Sequence, residues 1–153
     1  RGETIRGGQD VGWLRDLTVG RMMVRSPPVF PAEGSVRKFR EAFPLGSANI
    51  VVAVGESGQY RGLIHVPEAH ALTIENGEDG GPIGAIVHLP ETVLNPDDDI
   101  GTALETFGAA QADTLAVTAR GTGQVLGTLG EAYSARRYAQ ETNLAMKGVL
   151  GGG

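Results

Sequence analysis

The 153 residues carry a net charge of −5, 24 glycines, 8 prolines and no cysteine, and are 41% hydrophobic but only 5% aromatic. That length and hydrophobic share support a real core in one domain or two small subdomains, while the missing cysteines exclude disulfides, cysteine-bound zinc and thiol catalysis. The acidic balance and scarce aromatics argue against nucleic-acid binding, and no apolar run approaches the roughly 18 residues of a membrane span.

Residues 1–18 read as a linker from an upstream domain, with Val11, Trp13, Leu14 and Leu17 as its apolar positions. Arg1 is not an initiator Met, so the chain is expected to be a piece of a larger protein. Residues 1–40 hold eight basic and four acidic side chains, a local +4, whereas residues 41–153 hold five basic and fourteen acidic ones, a local −9. The basic end suits an anionic membrane surface or an acidic partner; ordinary solvated or intramolecular charges are the plainer reading.

From residue 19 the chain repeats itself. Val19-Gly20 recurs as Ile83-Gly84, Val29-Phe30 as Val93-Leu94, Ser35-Val36 as Asp99-Ile100, Phe43 as Phe107 and Asn49 as Asp113, all 64 residues apart. One inserted residue then places Gly127 opposite Gly62. Ser35 and Asp99 are N-cap residues. They precede helices with Val36, Phe39 and Phe43, and Ile100, Ala103, Leu104 and Phe107, on one face. Pro44 stops the first helix. Asn49–Val54 and Arg61–Val66 form one predicted hairpin, and Thr114–Thr118 and Gln124–Leu129 the other, each joined by a Gly-containing turn. Pro67–Leu72 and Glu131–Met146 are the closing helical stretches. The predicted fold class is α/β (α+β): two pseudo-symmetric units, each strand-helix-strand-strand-helix. One unit is too small for a good core, so the two should pack together. The boundaries are 19–72 and 83–135, with a flexible linker at 73–82 and a closing helix plus disordered glycine-rich tail at 136–153.

Val19-Gly20-Arg21-Met22-Met23, Pro28-Val29-Phe30, the Ser35–Phe43 helix, and the strand residues Gly62-Leu63-Ile64 with Gly127-Thr128-Leu129 resemble a tandem CBS-domain pair, or Bateman module. That resemblance implies sheet-to-sheet packing of the two units, clefts between them that often take adenine nucleotides, and a homodimer. It also implies a non-catalytic, regulatory attachment to an enzyme, channel or transporter. The segments Gly130–Glu141 and His88–Leu94 are similar to cytosolic CBS pairs of bacterial CLC-type chloride channels and transporters. This narrower likeness implies a transmembrane CLC domain in the same chain. The domain would then lie on the cytoplasmic side of the inner membrane and act in dimer assembly and gating.

In nucleotide-binding members of that family, the second hairpin strand runs Gly, two apolar residues, Thr or Ser, two more residues, then Asp. Here Gly62-Leu63-Ile64-His65-Val66-Pro67-Glu68 puts His65 at the hydroxyl position and Glu68 at the acid position. Glu68 can accept ribose hydroxyls, and His65 can meet a phosphate, better when protonated. In the second copy Gly130 and Tyr133 take those places, and Tyr133 either stacks on a base or simply packs. Both copies depart from the pattern, so no cofactor is required, and AMP, ADP or ATP are expected only as regulatory ligands. Val29 and Phe30 are the expected walls of the first cleft, Val93 and Leu94 those of its relative. The alternatives are a stand-alone or enzyme-attached nucleotide sensor and a ligand-free dimerisation module.

Other chemistry is weaker. Asp97-Asp98-Asp99 lacks the alternation and distal Glu of a calcium loop, and reads as a solvated loop ending in an N-cap. His65, His70 and His88 lack metal-ligand spacing. Gly121-Thr122-Gly123 and Gly77–Gly81 lack the Lys and helix of a phosphate loop. On the closing helix Ala135, Tyr138, Ala139, Thr142 and Ala145 form a weak stripe that packs on the domain or on a dimer partner.

Overall fold

The computed structural model describes residues 17–152; the linker residues Val11, Trp13 and Leu14, and the terminal Gly153, lie outside the described residues. The first copy comprises α1 (Val19–Met22), β1 (Val24–Arg25), β2 (Val29–Pro31), α2 (Val36–Ala42), β3 (Ile50–Val54), β4 (Tyr60–His65) and α3 (Val66–Ala71). The second runs through a 3-10 helix (Ile83–Ile86), β5 (Val93–Leu94), α4 (Ile100–Ala110), β6 (Thr114–Thr118), β7 (Val125–Gly130) and α5 (Glu131–Gly152). The repeat holds from β2 and β5 onward; before them α1 answers to the 3-10 helix, and β1 has no counterpart strand in the second copy.

Local chemistry sets the elements. Ser35 Oγ accepts a hydrogen bond from the Lys38 amide at 3.1 Å, and Asp99 Oδ1 from the Thr102 amide at 2.8 Å, so both repeated helices start on a capped turn. Pro67 sits in the first turn of α3, where its missing N–H costs nothing. Phe39 on α2 and Phe107 on α4 are fully buried, each in the core of its own copy. Burial of each contributes about 1.5–3 kcal/mol.

β2, β3 and β4 form one sheet; β1, β7, β6 and β5 form the other. In both, the first strand of the unit runs parallel to the second, which pairs antiparallel with the third. Both hairpins carry an irregularity at the same step, Ala53/Val54 and Val117/Thr118. One core gathers around Phe39, Val51 and Ile64 of the first copy and takes in Ile83 of the second; the other gathers around Phe107, Leu115 and Leu129 of the second copy and takes in Val19, Met22 and Met23 of the first. A third cluster, Val52 and Leu63 with Ala116, joins sheet to sheet.

The copies also exchange backbone. β1 of the first copy pairs with β7 of the second, placing Val24 opposite Thr128 and Arg25 opposite Gly127. In return, His88 of the second copy pairs with Leu63 on β4, through amide-to-carbonyl bonds of 2.9 and 2.8 Å. Two glycines make room for these crossings. A Cβ on Gly62 (φ +146°) would lie 2.5 Å from the Val87 Cβ, and a Cβ on Gly127 would lie 2.5 Å from the Val24 carbonyl oxygen.

Two stretches differ from expectation. The connection at 73–82 is pinned across the start of α2: the Val36 amide bonds the Gly81 carbonyl, the Arg37 amide the Asp79 carbonyl, and the Arg37 guanidinium the Glu78 carbonyl. Backbone groups left free at a helix N-terminus recruit the passing chain. α5 continues over Gly148 and Gly151 to Gly152, where the sequence predicts a disordered tail.

A cleft between the two copies as candidate functional site

A cavity of about 800 Å³ opens where the end of β4, the start of α3 and residues 88–89 meet the segment 110–114 of the second copy. β4 delivers His65 at its last residue, because the strand gives way to α3 there. One turn on, α3 presents Glu68, and the exchanged segment brings His88. His88 Nε2 lies 2.6 Å from Glu68 Oε1, so that nitrogen carries a hydrogen and donates it to the carboxylate. The rings of His65 and His88 meet edge-on with centroids 4.6 Å apart. Asn49, Gln111, Asp113 and Thr114 complete the polar wall, while Ile50, Leu63 and Leu89 supply the apolar one.

The side chains of His88 and Glu68 are 47% and 43% exposed, so the pair is open to a ligand. Partial desolvation, then the neighbouring His88, hold the His65 imidazole below the ordinary histidine value; the carboxylates of Glu68 and Asp113 oppose that shift. Two backbone positions at the rim, Leu89 (φ 53°) and Gln111 (φ 54°), adopt the left-handed conformation that non-glycine residues rarely take. The Tyr60 hydroxyl donates to the Leu89 carbonyl at 2.6 Å and anchors it, and burial pushes the Tyr60 phenol well above its usual pKa. Strain of this kind concentrates at ligand sites.

Neither family models nor curated protein sequences match the chain. Solved structures do. The CBS domain pair/ACT domain protein of Thermotoga maritima is 17% identical with a TM-score of 0.65, over 82% of this chain and 98% of that one. The CBS domain of a bacterial CNNM/CorC-family Mg2+ transporter, in complex with ATP, is 14% identical with a TM-score of 0.69, over 84% and 91% of the two chains. CBSX2 in complex with AMP is 18% identical with a TM-score of 0.65, over 81% and 97%. The fold is that of a CBS-domain pair.

Within this fold, His65 and Glu68 face one cleft, whereas the other residues predicted as site walls lie elsewhere. Phe30 is drawn away from the cleft into an aromatic cluster, its ring centroid 5.2 Å from Phe39 and 6.3 Å from Phe43. Val29 lines a separate concavity with Glu33, Val54 and Arg61. Leu94 is fully buried in the second core, and Val93 is half-buried in β5 beside β6. β2 lies at the opposite edge of its sheet from β4, the strand that delivers His65 to the cleft. Tyr133 receives a 3.0 Å hydrogen bond from Arg137 and lies near the Arg136 guanidinium as well, which occupies its ring in the closing helix.

His88, weighed in the sequence only as a metal ligand and as the start of the His88–Leu94 segment, Asp113, named only as the repeat partner of Asn49, and Gln111 are cleft residues that were not predicted as site residues. The sequence signal for His88 is the 64-residue offset, which equates it with Val24 on the exchanged strand. The acidic triplet is absorbed structurally: Asp97 pairs with Arg120 at 3.1 Å, Asp98 accepts from the Asn95 amide, and Asp99 caps α4. His70 Nε2 lies 2.8 Å from the Phe43 carbonyl oxygen, outside the cleft. Among the described residues, no helix is long and apolar enough to cross a membrane.

Proposed function

We propose that the chain is a non-catalytic regulatory module that takes an adenine nucleotide in the cleft between its two copies. The observation that carries this reading is the convergence of His65 and Glu68, at the hydroxyl and acid positions of the nucleotide-binding pattern, on one open cavity of about 800 Å³. Glu68 keeps one carboxylate oxygen beyond its bond to His88, enough to accept ribose hydroxyls. Leu63, Leu89 and Ile50 give a base an apolar wall. Occupancy acts by biasing how the two copies sit against each other, since cleft residues come from both. The CBS structures complexed with ATP and with AMP lend support from proteins of the same fold.

The attached domain, in this reading, is a membrane transport domain on whose cytoplasmic side the module sits. The likeness of residues 130–141 to CLC-type channels and transporters favours a chloride pathway; the Mg2+ transporters among the similar structures favour a cation pathway. Sequencing the gene around the codon for Arg1 tests this: long apolar helices upstream support a membrane transport domain, and an initiator Met or a soluble catalytic domain there contradicts it. Homodimerisation is the third part of the reading. Leu45 and Leu144, 64% and 62% exposed, are apolar surface that a partner copy would cover; sedimentation of the isolated domain tests it.

Calorimetric titration with AMP, ADP, ATP and adenosine tests the ligand itself. Saturable heat with at least one nucleotide is expected. No heat and no change in melting temperature with any of them leaves the ligand-free dimerisation module as the function.

A further inference from the structure

The cleft's charges do not suit a phosphate as they stand. Its charged and titratable groups come from every side: α3 contributes Glu68, the segment before β6 contributes Asp113, β4 contributes His65 and the exchanged segment contributes His88. Asn49 and Thr114 on the remaining wall are uncharged. With neutral imidazoles the cleft therefore presents two carboxylates and no cation. A phosphate group entering it meets repulsion from both acids. The basic groups able to reverse this are the two histidines, which touch edge-on at 4.6 Å.

Their environments differ. His88 already holds Glu68 at 2.6 Å, so a proton on His88 is neutralised on the spot and leaves no free cation for a ligand. His65 has no such partner, and two imidazolium charges side by side disfavour each other. In the free cleft His65 is thus the site where a proton is held weakly. A phosphate placed beside it supplies the missing counter-charge.

We infer that the His65–His88 pair is the anion-recognition element of the cleft, and that a phosphate-bearing ligand binds together with a proton taken up at this pair. The inference rests on the ligand reading above and specifies its regulation: the module reads nucleotide and pH jointly, with tighter binding at lower pH. Because His65 belongs to the first copy and His88 to the second, the proton also ties the copies together.

The depressed affinity of free His65 for protons fits this linkage, since a larger gap between free and bound states gives more proton uptake. For one linked proton, affinity changes by up to about tenfold per pH unit between the two pKa values.

The test is calorimetry with AMP and with adenosine between about pH 6 and about pH 8, in buffers of different ionisation heat, on the wild type, His65→Gln and His88→Gln. Both substituted residues are solvent-accessible, so the variants should fold. Free AMP titrates identically in every comparison, so differences between variants report the bound state, phosphate and histidine pair together. The expected result is proton uptake on AMP binding to the wild type, and a gain in AMP affinity on acidification that exceeds the His65→Gln gain by about threefold or more. His88→Gln should reduce the effect, and adenosine should show none. AMP binding with one pH profile in all three proteins overturns the inference and leaves the ligand reading intact. Absence of binding by both AMP and adenosine overturns the ligand reading and this inference with it.

Discussion

His88 bonds the backbone of Leu63 in both directions, at 2.9 and 2.8 Å, while its own ring reaches Glu68 at 2.6 Å. One residue of the second copy is therefore fixed to the first copy through main chain and side chain at once. The β-type pairing holds its position, and the imidazole is delivered to the acid that starts α3. A ligand that engages Glu68 consequently acts on the junction between the copies.

That junction makes Glu68 the first position to test. Glu68→Ala removes a charged acceptor in the cleft and leaves His88 without its partner. Hydrogen bonds to charged groups contribute about 1.5–3 kcal/mol, so nucleotide affinity should fall by about tenfold to a hundredfold. The partly exposed site should keep fold stability nearly unchanged. Calorimetry and a melting curve on the same sample check both; unchanged affinity with intact folding contradicts the assigned role.

Folding stability should depend on pH through His65. Its pKa in the folded protein lies below the ordinary value of 6.5, so the unfolded chain takes up the proton first. Stability is therefore lost as pH falls through about 6.5, and the loss is complete below the folded value. Relative to His65→Gln, the wild-type melting temperature should drop from about pH 7.5 to about pH 5.5. Parallel curves for the two proteins contradict this.

The two crossing glycines should be intolerant of any side chain. Gly62→Ala meets both a positive φ and the Val87 side chain, and Gly127→Ala meets a backbone oxygen that cannot step aside. Overpacking typically costs about 1–3 kcal/mol, and the strained φ should put Gly62→Ala at the upper end. Urea unfolding measures the loss. Gly46, with open space around its Cβ position but also a positive φ, isolates the conformational part; Gly46→Ala should cost about 1 kcal/mol. Equal costs at Gly46 and Gly62 would show that the crossing contact does not matter.

Tyr60→Phe removes the donor that anchors the Leu89 carbonyl. A net cost of about 1 kcal/mol is expected from the lost bond, with weaker ligand affinity because Leu89 forms part of the cleft wall. Urea unfolding and calorimetry check these; a variant as stable as wild type, binding equally well, contradicts the anchoring role.

How far the sequence reached follows from the range of each signal. Caps, helix faces and hairpins are local, and Ser35, Asp99, Phe39 and Phe107 take their predicted places. The 64-residue offset is long but linear, so two matching units were legible. The exchange of β1 and His88 between the units was not, because nothing in either segment distinguishes pairing with its own sheet from pairing with its neighbour's. Phe30 shows the converse error. Its position in the repeat suggested a cleft wall, yet the nearby Phe39 and Phe43 offered a better apolar neighbourhood. Residues 73–82 misled because glycine content reports conformational freedom in the unfolded chain, not the hydrogen bonds available once α2 has formed.

An adenine nucleotide seated between the two copies perturbs both at once, and backbone amide NMR of the isolated domain, recorded with increasing AMP, registers this residue by residue. Saturable shifts are expected at His65, Glu68 and His88 and at Gln111, Asp113 and Thr114, drawn from both copies. Shifts confined to Val29, Glu33 and Arg61, or none at saturating AMP, would contradict this placement.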